Sequence, residues 1–447
     1  MLTISEIGLN QLHSSTHKLI VSGDWTLTLI ELNGILGKIF YTVITPKEQS
    51  MKQLIKSIQL IIFATSLVLF VAVTRHGNVV AAESSSQENI QTLQMSVERA
   101  AHQATLLKNG KVLVSGGCAR RGCKIIHRSA ELFDSYKKNF SSAGSMVESR
   151  VSHASTLLKD GRVLILGGWT GQNATKSAEI YDSNSNSFVA TDSMAVARIG
   201  PVATPLQDGR VLVTGGEPGP GLGLNTSEVF DPKTMNFSLS GQMSANRGAH
   251  VAVALADGRV LITGGHQARG EILQSAEIYD PNTGEFSPTG DMTIPRHKHA
   301  GLLLPDGRVL IVGGSDARDF GGRYASTEFY DPDTGKFSPG PQMHWPRFKI
   351  RHSLVLLQSG AVLVAGGAVR NELLQPDSLS FAETGKQLSG PQMFTSALQL
   401  PSGKVLVTGG YDERLQPSEF AWLIAEFSGT DKTSERLIHA SHNIANQ

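Results

Sequence analysis

Five histidines, His102, His153, His250, His299 and His352, each stand fourteen residues before a Gly-Gly pair. Imidazole is a common metal ligand, so five copies at one position allow a ring of ligands around a central channel. His297 and His344 lie close to two members of that set. They could instead each contact a neighbouring unit, and the more economical reading is that each imidazole hydrogen-bonds backbone, because a residue repeated in most units usually holds units together. Pro201 and Thr395 fill the place in the two remaining units. Arg99, Arg150, Arg198, Arg247, Arg296 and Arg347 recur in step with Glu131, Glu179, Glu228, Glu277 and Glu328. Burying either sign alone is costly, so their joint recurrence implies buried pairs between sheets. Cys118 and Cys123 are the only cysteines, too few for a zinc site without further ligands at suitable spacing. They fit a local disulfide closing a loop in an oxidising compartment, with two free thiols, or more remotely a redox pair, as the alternatives.

The elements that must position these residues follow from an internal period. Gly-Gly pairs end apolar runs at Gly116, Gly167, Gly215, Gly264, Gly313, Gly366 and Gly409, at intervals of 51, 48, 49, 49, 53 and 43 residues. Met95, Met146, Met194, Met243, Met292, Met343 and Met393 repeat alongside, and an Arg follows four residues later in all but the last, where Ala397 stands. In the fourth unit, His250–Leu255 is apolar, Asp257-Gly258 turns the chain, and Arg259–Thr263 returns to Gly264-Gly265. Asp-Gly between two apolar runs is a strong hairpin signal, since both residues tolerate positive φ. Ser275–Asp280, the turn Pro281–Gly284 and Phe286 supply a third strand, a turn and a fourth strand. Four short antiparallel strands in each of seven units predict an all-β, seven-bladed propeller.

Gly-Gly, then Glu-x-aromatic-Asp, then a further aromatic, at a period near fifty, resembles the kelch repeat. The Arg-x-x-His…Asp-Gly-Arg-Val…Gly-Gly variant is similar to bacterial kelch proteins and to the central propeller of galactose oxidase. The resemblance spans about Asn89 to Phe427 and implies a seven-bladed kelch-type β-propeller. It does not bring a copper-radical centre with it. No Tyr-His dipeptide occurs, Tyr181, Tyr279 and Tyr330 belong to the third-strand motif, and both cysteines fall in one loop. Two units depart from the pattern. The sixth shows Asp377–Phe381 where the Glu-x-aromatic-Asp strand is expected, and the seventh shows three strands ending near Ile424. The segment Asn89–Gln94 would supply the missing fourth strand and lock the ring.

Five stretches are expected along the chain: 1–50, a gene-model extension or disordered; 51–82, a signal peptide or membrane anchor; 83–88, a polar tether; 89–427, the propeller; and 428–447, a polar tail. The second rests on Met51–Lys56, a basic start, followed by seventeen uncharged and mostly apolar residues and Val80-Ala81-Ala82. Either outcome puts the propeller outside the cytoplasm, secreted, periplasmic or anchored facing outward. Forty Lys and Arg against 39 Asp and Glu give no general pull toward nucleic acid.

The working surface is expected in the loops between second and third strands, because loops on a rigid scaffold carry binding. Arg120, Arg121, Trp169, His266, Arg318, Arg323, Tyr324 and Tyr411 are the candidate binding residues, drawn from residue types that anchor interfaces. No nucleophile, base or carboxylate pair is recognisable, so no catalytic residue and no cofactor are expected. The function read from the sequence is an exported, monomeric binding propeller for a protein or glycan. A divergent kelch-propeller enzyme with a site at the central channel is the alternative. Asn139, Asn173, Asn225 and Asn236 are glycosylation acceptors if the host modifies asparagine.

Overall fold

The computed structural model describes residues 13–22, 25–34, 37–46, 90–375, 378–388, 390 and 392–425. The segments 51–82, 83–88 and 428–447 lie outside the described residues, so the leader, tether and tail expectations are not addressed by it. Among the described residues, no helix is long and apolar enough to cross a membrane. Within 1–50, read from sequence as an extension or disordered, three antiparallel strands form one sheet: His13–Ser22, Trp25–Gly34 and Gly37–Pro46.

From Ile90 onward the chain builds seven four-stranded antiparallel sheets. The fourth is representative: Val251–Ala254, Val260–Thr263, Ala276–Asp280 and Glu285–Pro288, paired in chain order. Its second strand is buried at every residue, because it has a strand on either edge and a sheet against each face. Such strands read as continuous apolar runs rather than alternating ones. The fourth strand is mostly exposed and holds the fold chiefly through Phe286, whose ring centroid lies 4.9 Å from that of Tyr279. The same aromatic pair recurs as Phe133–Phe140, Tyr181–Phe188, Phe230–Phe237 and Tyr330–Phe337. The core lies between blades. Leu261 and Ile278 of the fourth blade pack with Val309, Ile311 and Tyr330 of the fifth. A single blade has no core of its own, which is why seven must close on one another.

Closure joins the two ends of the propeller. Ile90–Arg99 pairs antiparallel with Ser418–Ile424, with Ile90 opposite Ile424 and Thr92 opposite Trp422, and so completes the seventh sheet. This removes the sheet edge that an open ring would expose.

The last two blades correct the sequence reading. In the sixth, the third strand is Arg370–Gln375 and the fourth is Ser380–Gln387. Of the stretch read as the third strand, Ser378–Phe381 is therefore turn and fourth strand, while Asp377 lies outside the described residues. Glu372 holds the place of the repeated Glu and salt-bridges Arg347 at 2.7 Å; a Leu, Leu374, replaces the aromatic and hid the motif. In the seventh, Gln392 rather than Ala397 takes the Arg position. It stands seventeen residues before Gly409, as Arg296 does before Gly313, and its Cβ faces the second Gly just as Arg296 does. The buried apolar residue four places earlier is Leu388, so Met393 is out of step with the other six methionines. Trp422 pairs with Val407 where Glu277 pairs with Ile262, so both charges of the pair are absent together. That is the outcome expected if either alone would be a buried, unpaired ion.

The Gly-Gly pairs turn each chain from second strand into loop. Gly264 has φ 54°, and a Cβ there would clash with the Arg296 carbonyl oxygen and press on Met292 and His299. Gly264→Ala is therefore expected to cost about 1–3 kcal/mol through its left-handed backbone and this crowding. Gly270→Ala, at φ 91° with nothing near its Cβ, should cost less. Urea midpoints of the two variants check the order.

Candidate functional site

Each of the first six blades is preceded by a lead-in whose Arg is fully buried and fixes the segment. Arg247 donates through Nη1 to the carbonyls of Gly264 (2.9 Å) and Ser275 (3.0 Å), and through Nη2 to Glu277 Oε1 (2.7 Å). Glu277 in turn accepts from the Ser244 amide at 2.7 Å. The residue after the Arg pairs with the residue after the Gly-Gly, as in Val151 with Trp169 and Ile199 with Glu217. The next residue adopts left-handed backbone and turns toward the axis. These are Ala101, Ser152, Gly200, Ala249, Lys298, Lys349 and Phe394, with φ between 51° and 61°. Their backbones join blade to blade: Ser152 N donates to Ala101 O, Gly200 N to Ser152 O, and Lys349 N to Lys298 O. The fold thus places one side chain from every blade around the same axial mouth. Four are small and three are large, two of them lysines.

Within the mouth lies a cavity of about 130 Å³ lined from all seven blades. Lys298 donates to Asp319 Oδ1 at 2.6 Å, and His297 Nε2 lies 3.0 Å from the same oxygen. Burial raises the Asp319 carboxyl, but hydrogen bonds from His297 and Lys298 outweigh it and hold the group well below the usual carboxylate range. Lys349 Nζ donates to the Tyr411 hydroxyl at 2.7 Å. Burial, reinforced by Lys298, pushes Lys349 down to about 8. Glu217 Oε1 lies 3.5 Å from His266 Nε2, and burial raises its carboxyl. Arg351 reaches across the channel from the sixth blade, its Nη1 3.2 Å from Gly200 O and 3.3 Å from Pro201 O. Burial lowers its guanidinium to about 10.

The histidine ring does not exist as a ligand set. His102 Nε2 shares a hydrogen bond with Thr408 Oγ1 (2.7 Å), His153 with Ser115 (3.1 Å), His250 with Thr214 (2.9 Å) and His299 with Thr263 (2.8 Å). Each partner ends the second strand of the preceding blade, so these four imidazoles are interblade links whose nitrogens diverge. His352 is not one of them. Arg347 stands nineteen residues before its Gly-Gly where the other blades have seventeen, and the two extra residues move Ile350 into the linking position, against Gly313. His352 then faces the open channel, 3.2 Å from Gln103 Nε2. Among the described residues, no three His, Cys, Asp or Glu side chains converge as a metal site.

Of the eight expected binding residues, three reach the mouth. Trp169 and Tyr411 line an outer hollow with Phe394 and Ile199, and His266 sits behind Glu217. The other five are engaged away from the mouth. Arg120 is exposed, its amide on Glu98 Oε2, and Arg121 donates to the Arg414 carbonyl at 3.1 Å. Arg318 pairs with Asp316 at 2.6 Å, Arg323 stacks 4.1 Å over the Phe320 ring, and Tyr324 lies against buried Arg296. Cys118 and Cys123 are joined to each other, in the loop that Arg121 ties to the seventh blade. Sequence reasoning missed Lys298, Lys349, Arg351 and Phe394, because they lie in the lead-ins rather than in the second-to-third strand loops and share no side-chain pattern. The interval of 53 residues at the sixth unit was the available signal for Arg351.

The Kelch motif matches residues 150–194, 247–293 and 296–344, which are the second, fourth and fifth units. Among solved structures, the chain is similar to a fungal alcohol oxidase of the AA5 family with catalytic diversity, in complex with copper. That match has TM-score 0.62 and 17% identity, and covers 76% of each chain. At that identity the likeness concerns the fold. No curated protein matches the chain. A copper centre does not fit the residues at this mouth: the Tyr411 hydroxyl is engaged by Lys349, both cysteines are spent on each other, and the linking histidines diverge.

Proposed function

Taking the chain as a seven-bladed β-propeller carrying kelch motifs, we propose that it is an exported binding module whose axial mouth recognises a protein or glycan. The observation that carries this is the ring of seven equivalent left-handed residues, six of them not glycine. Such backbone is costly for residues with a Cβ and clusters at functional sites. Trp169, Phe394 and Tyr411 stand over the mouth as partly apolar anchors of the kind that dominate interfaces. Export is supported by the basic and apolar run from Met51 and by the Cys118–Cys123 pairing, which belongs to an oxidising compartment. The propeller acts as a monomer in this reading, and its near-neutral charge gives no general pull toward nucleic acid.

The test is a glycan array together with pull-down from the host. Trp169→Ala is expected to weaken capture at least tenfold while leaving the melting temperature within a few degrees. Arg121→Ala, which alters a contact within the loops, should have a smaller effect. Undiminished capture by Trp169→Ala would remove the mouth as the recognition surface.

A further inference from the structure

The charges around the axial cavity do not balance. Lys298, Lys349 and Arg351 face it with Glu217, while Asp319 is committed to Lys298 and His297. Counting all five as ionised leaves one positive charge. Among the described residues, neither Arg351 nor Lys349 has a carboxylate within 4.0 Å; carbonyl oxygens receive the first and a neutral hydroxyl the second. A cation drawn back from bulk water without a counter-ion is unfavourable. Yet the sixth blade departs from the seventeen-residue spacing of its neighbours and so delivers Arg351 to this place. The ring of equivalent positions is also uneven: small side chains on the first four blades leave space on the side opposite Lys298 and Lys349.

We propose that this cavity takes a single carboxylate group of the ligand, received by the Arg351 guanidinium and the Lys349 ammonium. The assignment rests on the axial mouth being the binding face. A guanidinium fork matches the two oxygens of a carboxylate, and a lysine adds a point charge beside it. One unit of excess positive charge suits a monoanion; a phosphate dianion would leave the site negative. At about 130 Å³ the cavity is smaller than the roughly 300–1,000 Å³ of pockets that enclose whole small ligands. It accommodates the charged end of a ligand whose remainder lies against Trp169 and Phe394.

The test is titration of the full chain with acetate, glucuronate and glucose, followed by calorimetry or ligand-detected NMR. Glucuronate is expected to bind at least tenfold more tightly than glucose, its neutral counterpart, and more weakly as salt rises. Detectable acetate binding would show that a free carboxylate suffices; glucuronate without acetate would show that the attached ring is needed; both support the assignment. Arg351→Met and Lys349→Met should each cost glucuronate at least tenfold, with Lys137→Met, on an exposed turn, as control. If Arg351→Met fails to fold by thermal melting, Lys349→Met carries the test. Equal affinity for glucuronate and glucose, or full glucuronate binding by a folded Lys349→Met variant, would overturn the proposal. Should capture on the array still depend on Trp169 in that event, the mouth remains a binding face and only the carboxylate assignment falls.

Discussion

Acidification from pH 7.5 to 5 is expected to remove several kcal/mol of the propeller's stability. His102, His153, His250 and His299 are buried, each spent on a hydroxyl of the preceding blade. Burial and then the nearby arginines push them down, His102 to about 3 and the others well below their usual range. In the unfolded chain each would titrate near 6.5. The folded state therefore binds fewer protons than the unfolded state between about pH 6.5 and 3. Stability from these residues is fully present above 6.5 and is lost as pH falls through that window, at up to about 1.4 kcal/mol per unit per residue. Glu217, raised by burial, works in the opposite direction but is one group against four. Whole-domain stabilities are only about 5–15 kcal/mol, so the four together can unfold the ring. Urea titrations at pH 7.5, 6 and 5 measure the slope, and His250→Gln should lower it by close to one proton. Equal urea midpoints at pH 7.5 and 5 would contradict the burial of neutral imidazoles.

Glu277→Ala should cost about 3–5 kcal/mol, the usual consequence of stranding one member of a buried ion pair. The variant leaves the Arg247 guanidinium in a dry site with only carbonyl and hydroxyl partners, and the Ser244 amide without its acceptor. The seventh blade supplies the control, since it replaces both charges at once with Gln392 and Trp422. Combining Arg247→Gln with Glu277→Leu is accordingly expected to recover a substantial part of the loss. Denaturant midpoints of Arg247→Gln, Glu277→Leu and their combination form the double-mutant cycle, beside Glu277→Ala. A single variant within about 1 kcal/mol of the unchanged chain would mean that the repeated pair is not the anchor of the lead-in.

Much of the fold was legible because a propeller repeats its physics. Gly-Gly after an apolar run, Asp-Gly before one, and Glu-x-aromatic-Asp each mark a strand end, and seven copies average out local accidents. The reading failed where a copy is altered. Leu374 in place of an aromatic concealed the third strand of the sixth blade, and Gln392 in place of an arginine shifted the seventh blade's register onto Met393. The site was harder to see, since its residues are those that do not repeat. Trp169, His266 and Tyr411 were found because they follow a Gly-Gly. Lys298, Lys349 and Phe394 occupy one backbone position with Ala101, Ser152, Gly200 and Ala249. No pattern in side-chain type reveals that position; it is defined by left-handed backbone, which only the folded chain displays. His352 illustrates the converse, a residue that shares the repeat's spacing to the Gly-Gly but not its place, because the two extra residues lie before it.

The most direct test of the whole account is a crystal structure of the chain. Seven radial four-stranded sheets are expected, the last completed by Ile90–Arg99, with the Arg351 guanidinium spanning the channel to the carbonyls of Gly200 and Pro201. Six or eight sheets, an unpaired edge at Ser418–Ile424, or Arg351 turned outward into solvent would contradict it.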